Sequence, residues 1–157
     1  MKLKVYVETS VFSFLTARKT TNLLAAAWQN ITIDWWDTRK GDFELYISEL
    51  VYEEGLRGDP DAAARRIKEM EGLPYLNITD EAINLAKKLM LSGLLPSKAS
   101  DDALHLAIST LHKMDFLLTW NCRHLDNAEI KPKIRLLLNE LGYAMPEICT
   151  PQELSGE

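Results

Sequence analysis

Leu3-Lys4-Val5-Tyr6-Val7-Glu8-Thr9-Ser10 is the stretch around which the rest of the chain is read. Its alternating and β-branched residues predict a short strand, and Glu8 puts a carboxylate where that strand ends. In an open α/β sheet the ends of parallel strands form crevices that collect ligands and catalytic groups. An acid at this position is therefore a candidate metal ligand. The plainer role for Glu8, Thr9 and Ser10 is to cap the helix that follows, and the choice between the two rests on the remaining sequence.

Outward from this strand, helical and extended patterns alternate. Ser10 to Thr16 reads as a short apolar turn and Ala17 to Thr21 as a polar, basic loop. Thr20 or Thr21 then caps a helix in which Leu24, Trp28, Ile31 and Trp35 recur at helical spacing, a stripe suited to the core or to a partner groove. Phe43 to Ile47 is a second strand, with Ser48 capping a helix from Glu49 to Leu56. Asp59 and Pro60 open another helix, on which Arg65, Arg66 and Lys68 form a solvated face. Tyr75 to Ile78 is a third strand, Thr79 caps Asp80 to Leu91, and Ser100 caps a helix from Asp101 to about His112. Phe116 to Thr119 is short, apolar and the most buried strand. A polar loop from Trp120 to Ala128, a helix from Lys133 to Leu141 and a last strand from Glu147 to Thr150 complete the order. The alternation predicts one α/β domain over residues 1–150, built on a mostly parallel sheet covered on both faces, with a polar tail at 151–157.

Composition narrows the class. A chain of 157 residues that is 46% hydrophobic supports one domain with a substantial core. No apolar run approaches the roughly 18 residues needed to span a bilayer, and the N-terminus lacks a signal-peptide pattern, so a soluble, cytoplasmic protein is expected. Cys122 and Cys149 form no Cys-x-x-Cys pair and suggest neither a zinc ribbon nor a disulfide framework. The net charge of -5 excludes nucleic-acid binding by bulk electrostatics. It is compatible with a nuclease that gathers carboxylates around a divalent ion.

Four positions line up at the ends of the predicted elements: Glu8 after the first strand, Glu54 in the helix after the second, Asp102 in the first turn of the long helix, and Asn121 past the fourth strand. Three carboxylates and an amide oxygen suit a hard cation such as Mg²⁺ or Mn²⁺. Glu53 and Glu54 point about 100° apart on a helix, and the spacing from Ser48 selects Glu54. Asp101 and Asp102 also favour the helix dipole without any catalytic duty. Thr9, Ser10 and Asp101 are candidate supporting groups. His105 joins them because it lies three residues after Asp102 and shares its face. His124, in the loop after Asn121, is within reach of a substrate phosphate.

The segments Val5-Tyr6-Val7-Glu8-Thr9-Ser10, Ile47-Ser48-Glu49-Leu50-Val51-Tyr52-Glu53-Glu54, Asp102-Ala103-Leu104-His105-Leu106-Ala107 and Leu117-Leu118-Thr119-Trp120-Asn121, in this order, resemble the PIN-domain family of metal-dependent ribonucleases, in particular the VapC-like toxins of toxin–antitoxin pairs. The resemblance implies a three-layer α/β/α sandwich and an endoribonuclease using Mg²⁺ or Mn²⁺. It makes Glu8, Glu54, Asp102 and Asn121 the successive metal and catalytic positions, and Arg18, Lys19 and Lys98 candidates for holding substrate phosphates. It also implies an RNA substrate cut to 5′-phosphate and 3′-hydroxyl ends, a cognate antitoxin and a homodimer. Two positions depart from the family pattern. Glu8 and Asn121 stand where the family usually has Asp, and the lost charge at Asn121 weakens a second ion, with Asp126 close enough in sequence to substitute. A phospho-accepting receiver domain also has acids at strand ends, but here the Asp pair opens a helix. A catalytically weak PIN-like module acting through protein or RNA binding is the other reading, motivated by Asn121 and the tryptophan stripe.

Overall fold

The computed structural model describes residues Met1–Glu157. Five strands, β1 (Leu3–Val7), β2 (Phe43–Ser48), β3 (Tyr75–Leu76), β4 (Phe116–Leu118) and β5 (Glu147–Cys149), pair in the order β3-β2-β1-β4-β5. Every pairing is parallel, so the expected mostly parallel sheet is wholly parallel. β1 is central because Val5, Tyr6 and Val7, with no exposed surface, can be covered on both faces at once.

Seven helices link the strands: α1 (Thr9–Thr16), α2 (Leu23–Thr38), α3 (Glu49–Gly55), α4 (Pro60–Met70), α5 (Asp80–Leu91), α6 (Ser100–Leu111) and α7 (Lys131–Glu140). The chain steps from β1 outward to β3, then returns across the sheet to β4 and β5. With right-handed crossovers this reversal puts α1 to α4 on one face and α5 to α7 on the other. Accordingly α1 packs on α2, α3 and α4, while α5 packs on α6. The core cluster runs through both layers, from Phe12, Trp35 and Trp36 to Leu89, Leu106 and Ile134. Together these make the α/β/α sandwich.

Several local expectations are corrected. Ser10 to Thr16, read as a short apolar turn, is a two-turn helix, α1, which starts at Thr9 with Glu8 as its cap. α2 is capped by Asn22, whose side chain accepts from Ala25 N, and not by Thr20 or Thr21. Of the predicted stripe, Trp35 is buried and Trp28 and Ile31 pack against the core, while Leu24 is exposed and Trp36 joins the buried face. Ser48 and Ser100 form no side-chain caps; Ser48 instead bonds Tyr6, and Ser100 is the first residue of its helix. Arg65 and Arg66 are half-buried and bond backbone carbonyls, leaving Lys68 as the solvated member of the trio. α7 begins two residues earlier than expected, at Lys131. The Asp59 cap with Pro60 behind it and the Thr79 cap of α5 match the sequence reading. In the last residues, Leu154 O accepts from Trp35 Nε1 at 3.0 Å, which ties this segment to α2.

Candidate metal centre

The sheet reverses its winding between β1 and β4, and in such sheets the crevice outside the carboxyl ends at that point is where ligands bind. Val7 pairs with Leu118, so the residues after them, Glu8 and Thr119, emerge side by side. Glu8 N donates to Leu118 O at 3.0 Å, carrying the ladder to the rim. Glu8 is only 6% exposed, and a buried carboxylate must be compensated. Its Oε1 accepts from Ser10 Oγ at 2.5 Å and Thr119 Oγ1 at 2.6 Å, and its Oε2 from Ser10 N at 3.2 Å. Glu8 is thus a helix cap and a rim acid at once, so the two roles read from the sequence are compatible.

Glu54 reaches the same point from α3. Its Oε1 accepts from Thr9 Oγ1 at 2.5 Å and faces His105 Nε2 at 2.6 Å. Glu53, on the outward side of α3, is exposed. Behind Glu54 a buried chain continues: His105 Nδ1 lies 2.8 Å from Tyr6 Oη, which lies 2.7 Å from Ser48 Oγ. Burial pushes the His105 pKa down, but the Glu54 hydrogen bond and the charges of Glu8, Glu54 and Asp102 outweigh it, and the net direction is upward. For Glu54 burial raises the pKa, while His105, Thr9 and Arg57 together lower it below the usual carboxylate range.

Oxygen or nitrogen atoms of Glu8, Glu54 and His105 all lie within 4.8 Å of one another. Both ring nitrogens of His105 are already engaged, by Glu54 and Tyr6, which makes it a partner of Glu54 and leaves the carboxylates as the donors. Such an oxygen set fits a hard divalent cation. No hydrogen bond engages Glu54 Oε2, and Glu8 Oε2 has only the 3.2 Å contact from Ser10 N, so both acids keep free lone pairs.

Asp102 sits in the first turn of α6, one turn before His105. Its Oδ1 accepts from Asn121 Nδ2 at 3.1 Å, and its Oδ2 faces His124 Nδ1 at 2.9 Å. Asn121 Oδ1 accepts from His124 N at 3.0 Å. The partners orient the amide, because an N–H requires the oxygen and a carboxylate requires the nitrogen. Asn121 thus orients Asp102 through its Nδ2, while its Oδ1, the metal oxygen expected from the sequence, accepts one hydrogen bond in the turn and keeps a second lone pair. Asn121 N also donates to Thr119 Oγ1 at 2.9 Å, which links this group to Glu8.

The other predicted residues divide. Thr9 and Ser10 hold the two glutamates as described, and Ser10 Oγ also accepts from Trp120 N at 2.8 Å. Asp101 turns away from the acids to Arg57, at 3.4 Å across an exposed gap. Asp126 pairs with Lys131 at 2.6 Å instead of replacing the charge missing at Asn121. Lys19 and Lys98 are exposed and bond nothing, while Arg18 borders a cavity beside α1. Thr119, Tyr6, Ser48 and the Asp102–His124 pairing are absent from the sequence-predicted site. Thr119 had a detectable signal, a hydroxyl directly after a buried strand; the other pairings join residues distant in sequence and left none.

No protein-family model matches the sequence, and no curated protein matches it. Among solved structures, the chain is similar to the Mycobacterium tuberculosis toxin VapC20, described as cleaving the sarcin-ricin loop, with a TM-score of 0.60 and 13% identity over 79% of this chain and 95% of that one. It is also similar to a chain of VapBC2 from Rickettsia felis, a structure with a DNA fragment from the promoter, with a TM-score of 0.55 and 11% identity over 79% of this chain and 92% of that one. At these identities the likeness concerns architecture, and in architecture the chain has the PIN-type α/β/α fold of the VapC proteins.

Proposed function

We propose that the protein is a metal-dependent endoribonuclease that hydrolyses RNA phosphodiester bonds, the toxin of a toxin–antitoxin pair. The observation that carries this reading is the convergence of Glu8 and Glu54 at the winding reversal of the sheet, with Asp102 linked to them through Asn121 and Thr119. Glu8, Glu54 and Asp102 would hold Mg²⁺ or Mn²⁺. When bound, the ion supplies Lewis acidity that activates water near neutral pH and offsets charge on the phosphate.

The chain's own residues hold these acids in place. Ser10 and Thr119 fix Glu8, Thr9 and His105 fix Glu54, and Asn121 and His124 fix Asp102. Each carboxylate is thereby pre-oriented by partners that leave lone pairs free, and such outer partners tune metal affinity. No nucleophilic side chain is required. The likeness to the VapC20 toxin supports an RNA substrate, and that to a VapBC complex supports an antitoxin partner. Cytoplasmic action as a homodimer belongs to the same reading, and no helix is long and apolar enough to cross a membrane.

A second reading, a catalytically weak module acting through protein or RNA binding, is favoured by Asn121, which contributes no anion and whose oxygen accepts a hydrogen bond from His124 N. Metal titration followed by an RNA cleavage assay separates the two. The expected outcome is cleavage of single-stranded RNA in Mn²⁺ or Mg²⁺ that is abolished by Asp102→Ala and by EDTA. Equal cleavage by wild type and Asp102→Ala, or activity indifferent to EDTA, overturns the metal-centre reading. Failure of the wild type to bind either ion favours the weak module.

A further inference from the structure

On the side of α1 away from its first turn, a cavity of about 390 Å³ opens between the end of α1 and the start of α4, bordered by Ser13, Thr16, Arg18, Asp59, Arg65 and Arg66. Two of its guanidinium groups are fixed by neutral acceptors. Arg65 Nε donates to Thr16 O at 2.9 Å; Arg66 Nε donates to Gly55 O at 2.9 Å and its Nη2 to Arg57 O at 2.5 Å. Backbone carbonyls orient these forks without cancelling their charge, and none of the three arginines forms an ion pair. The one carboxylate on the rim, Asp59, accepts from Ala62 N as the cap of α4. In a chain of net charge -5, three cations gathered around a single carboxylate that pairs with none of them leave a local excess of positive charge suited to an anion.

Oriented guanidinium forks suit the oxygens of a phosphate. The apolar lining is limited to Ala17 and Ala62, which offers no stacking surface for a base. The cavity is therefore suited to a backbone phosphate and reads no sequence. It is also coupled to the acids. Ser13 Oγ donates to Thr9 O at 3.2 Å, and Thr9 Oγ1 in turn donates to Glu54. One helical turn, about 5.4 Å, separates the residue that holds Glu54 from the residue that borders the cavity.

We infer that Arg18, Arg65 and Arg66 form a phosphate subsite that grips the backbone of single-stranded RNA beside the metal centre. The identity of the phosphate rests on the ribonuclease reading; the anion site itself rests on the arginines.

The test is binding of a fluorescently labelled single-stranded RNA to the full chain in EDTA, measured by anisotropy across a salt series. Wild type is compared with Arg18→Glu, Arg65→Gln and Lys133→Glu, the last reversing an exposed charge on α7. Arg18 lies in an exposed loop, so its substitution is free of the loosening that Arg65→Gln can cause between α1 and α4. Arg18→Glu and Arg65→Gln are each expected to weaken binding about tenfold and to flatten the slope of log affinity against log salt by about 0.7 for each phosphate the variant no longer neutralises. Lys133→Glu leaves both unchanged. Wild-type slopes in both arginine variants, with RNA still bound and cut, overturn the subsite and leave the ribonuclease reading standing. If the wild type neither binds nor cuts RNA, the ribonuclease reading falls. Inorganic phosphate titrated against the Arg65 Nε–H resonance then decides the anion site alone: a shift abolished by Arg18→Glu upholds it, and no shift overturns it.

Discussion

At the amino-terminal rim of the sheet, Asp115 and Glu147 stand at the starts of β4 and β5, and Glu81 lies beside Tyr143. At the carboxy-terminal rim, Glu8, Glu54 and Asp102 stand at the ends or starts of comparable elements. The first rim has a cavity of about 710 Å³, bordered by Glu81, Lys113, Asp115 and Tyr143. Yet its acids are exposed and each is separately engaged: Asp115 Oδ2 by Lys4 N at 2.8 Å, Glu147 by Arg135 at 3.2 Å, and Glu81 by Tyr143 Oη at 2.8 Å. At the other rim the acids are mostly covered, Glu8 and Glu54 approach each other, and the partners are hydroxyls, an amide and two imidazoles, with no Lys or Arg paired to them. A strand-end acid is common. Convergence with no Lys or Arg paired to the acids leaves carboxylate oxygens open to a divalent ion.

The largest effect that tests this contrast is a paired substitution. Glu54→Gln is expected to reduce RNA cleavage to background, whereas Asp115→Asn leaves it at the wild-type rate; a cleavage time course on both proteins reads the difference. Equal loss in the two variants would erase the distinction between the rims. An intermediate effect is expected for His105→Gln. The buried Tyr6–His105–Glu54 chain then loses its middle member, which costs about 1–3 kcal/mol of stability by leaving polar groups unpaired. Mn²⁺ affinity falls about 10- to 100-fold, as for other partners of metal ligands. Thermal unfolding and calorimetric Mn²⁺ titration measure the two quantities, and an unchanged affinity would show that His105 serves the fold alone. The smallest effect belongs to Asp115→Ala, which removes an exposed hydrogen bond to Lys4 N. A stability change within about 0.5 kcal/mol, read from denaturant unfolding, is expected, together with unchanged Mn²⁺ affinity.

Much of this contrast is legible before folding, and the remainder has an identifiable reason. Glu54 is separable from Glu53 because helical geometry turns adjacent residues apart, and the structure leaves Glu53 exposed. The caps at Asp59 and Thr79 are local chemistry, readable from a few neighbouring residues. Ser48 and Ser100 look like equally good caps, yet Ser48 holds the N-cap position of α3 without a capping hydrogen bond because a distant hydroxyl, Tyr6 Oη, claims its side chain, and the short helical turn Ser97–Ala99 runs directly into α6 at Ser100. The roles of Arg65 and Arg66 were hidden for the same reason: their acceptors, Thr16 O and Gly55 O, are backbone atoms of other helices.

By itself the sequence determined the alternation of strands and helices, the parallel sheet, and the placement of acids at element ends, since periodicity, capping residues and strand composition are local properties. Only the tertiary structure decided what each acid meets. The register of β1 against β4 sets Thr119 beside Glu8, the packing of α6 brings His105 to Glu54 and Tyr6, and the turn after β4 places His124 N against the Asn121 oxygen while aiming the Asn121 Nδ2 at Asp102. These pairings join residues far apart in the chain or are set by the fold of a loop, and no pattern along the sequence encodes their distances.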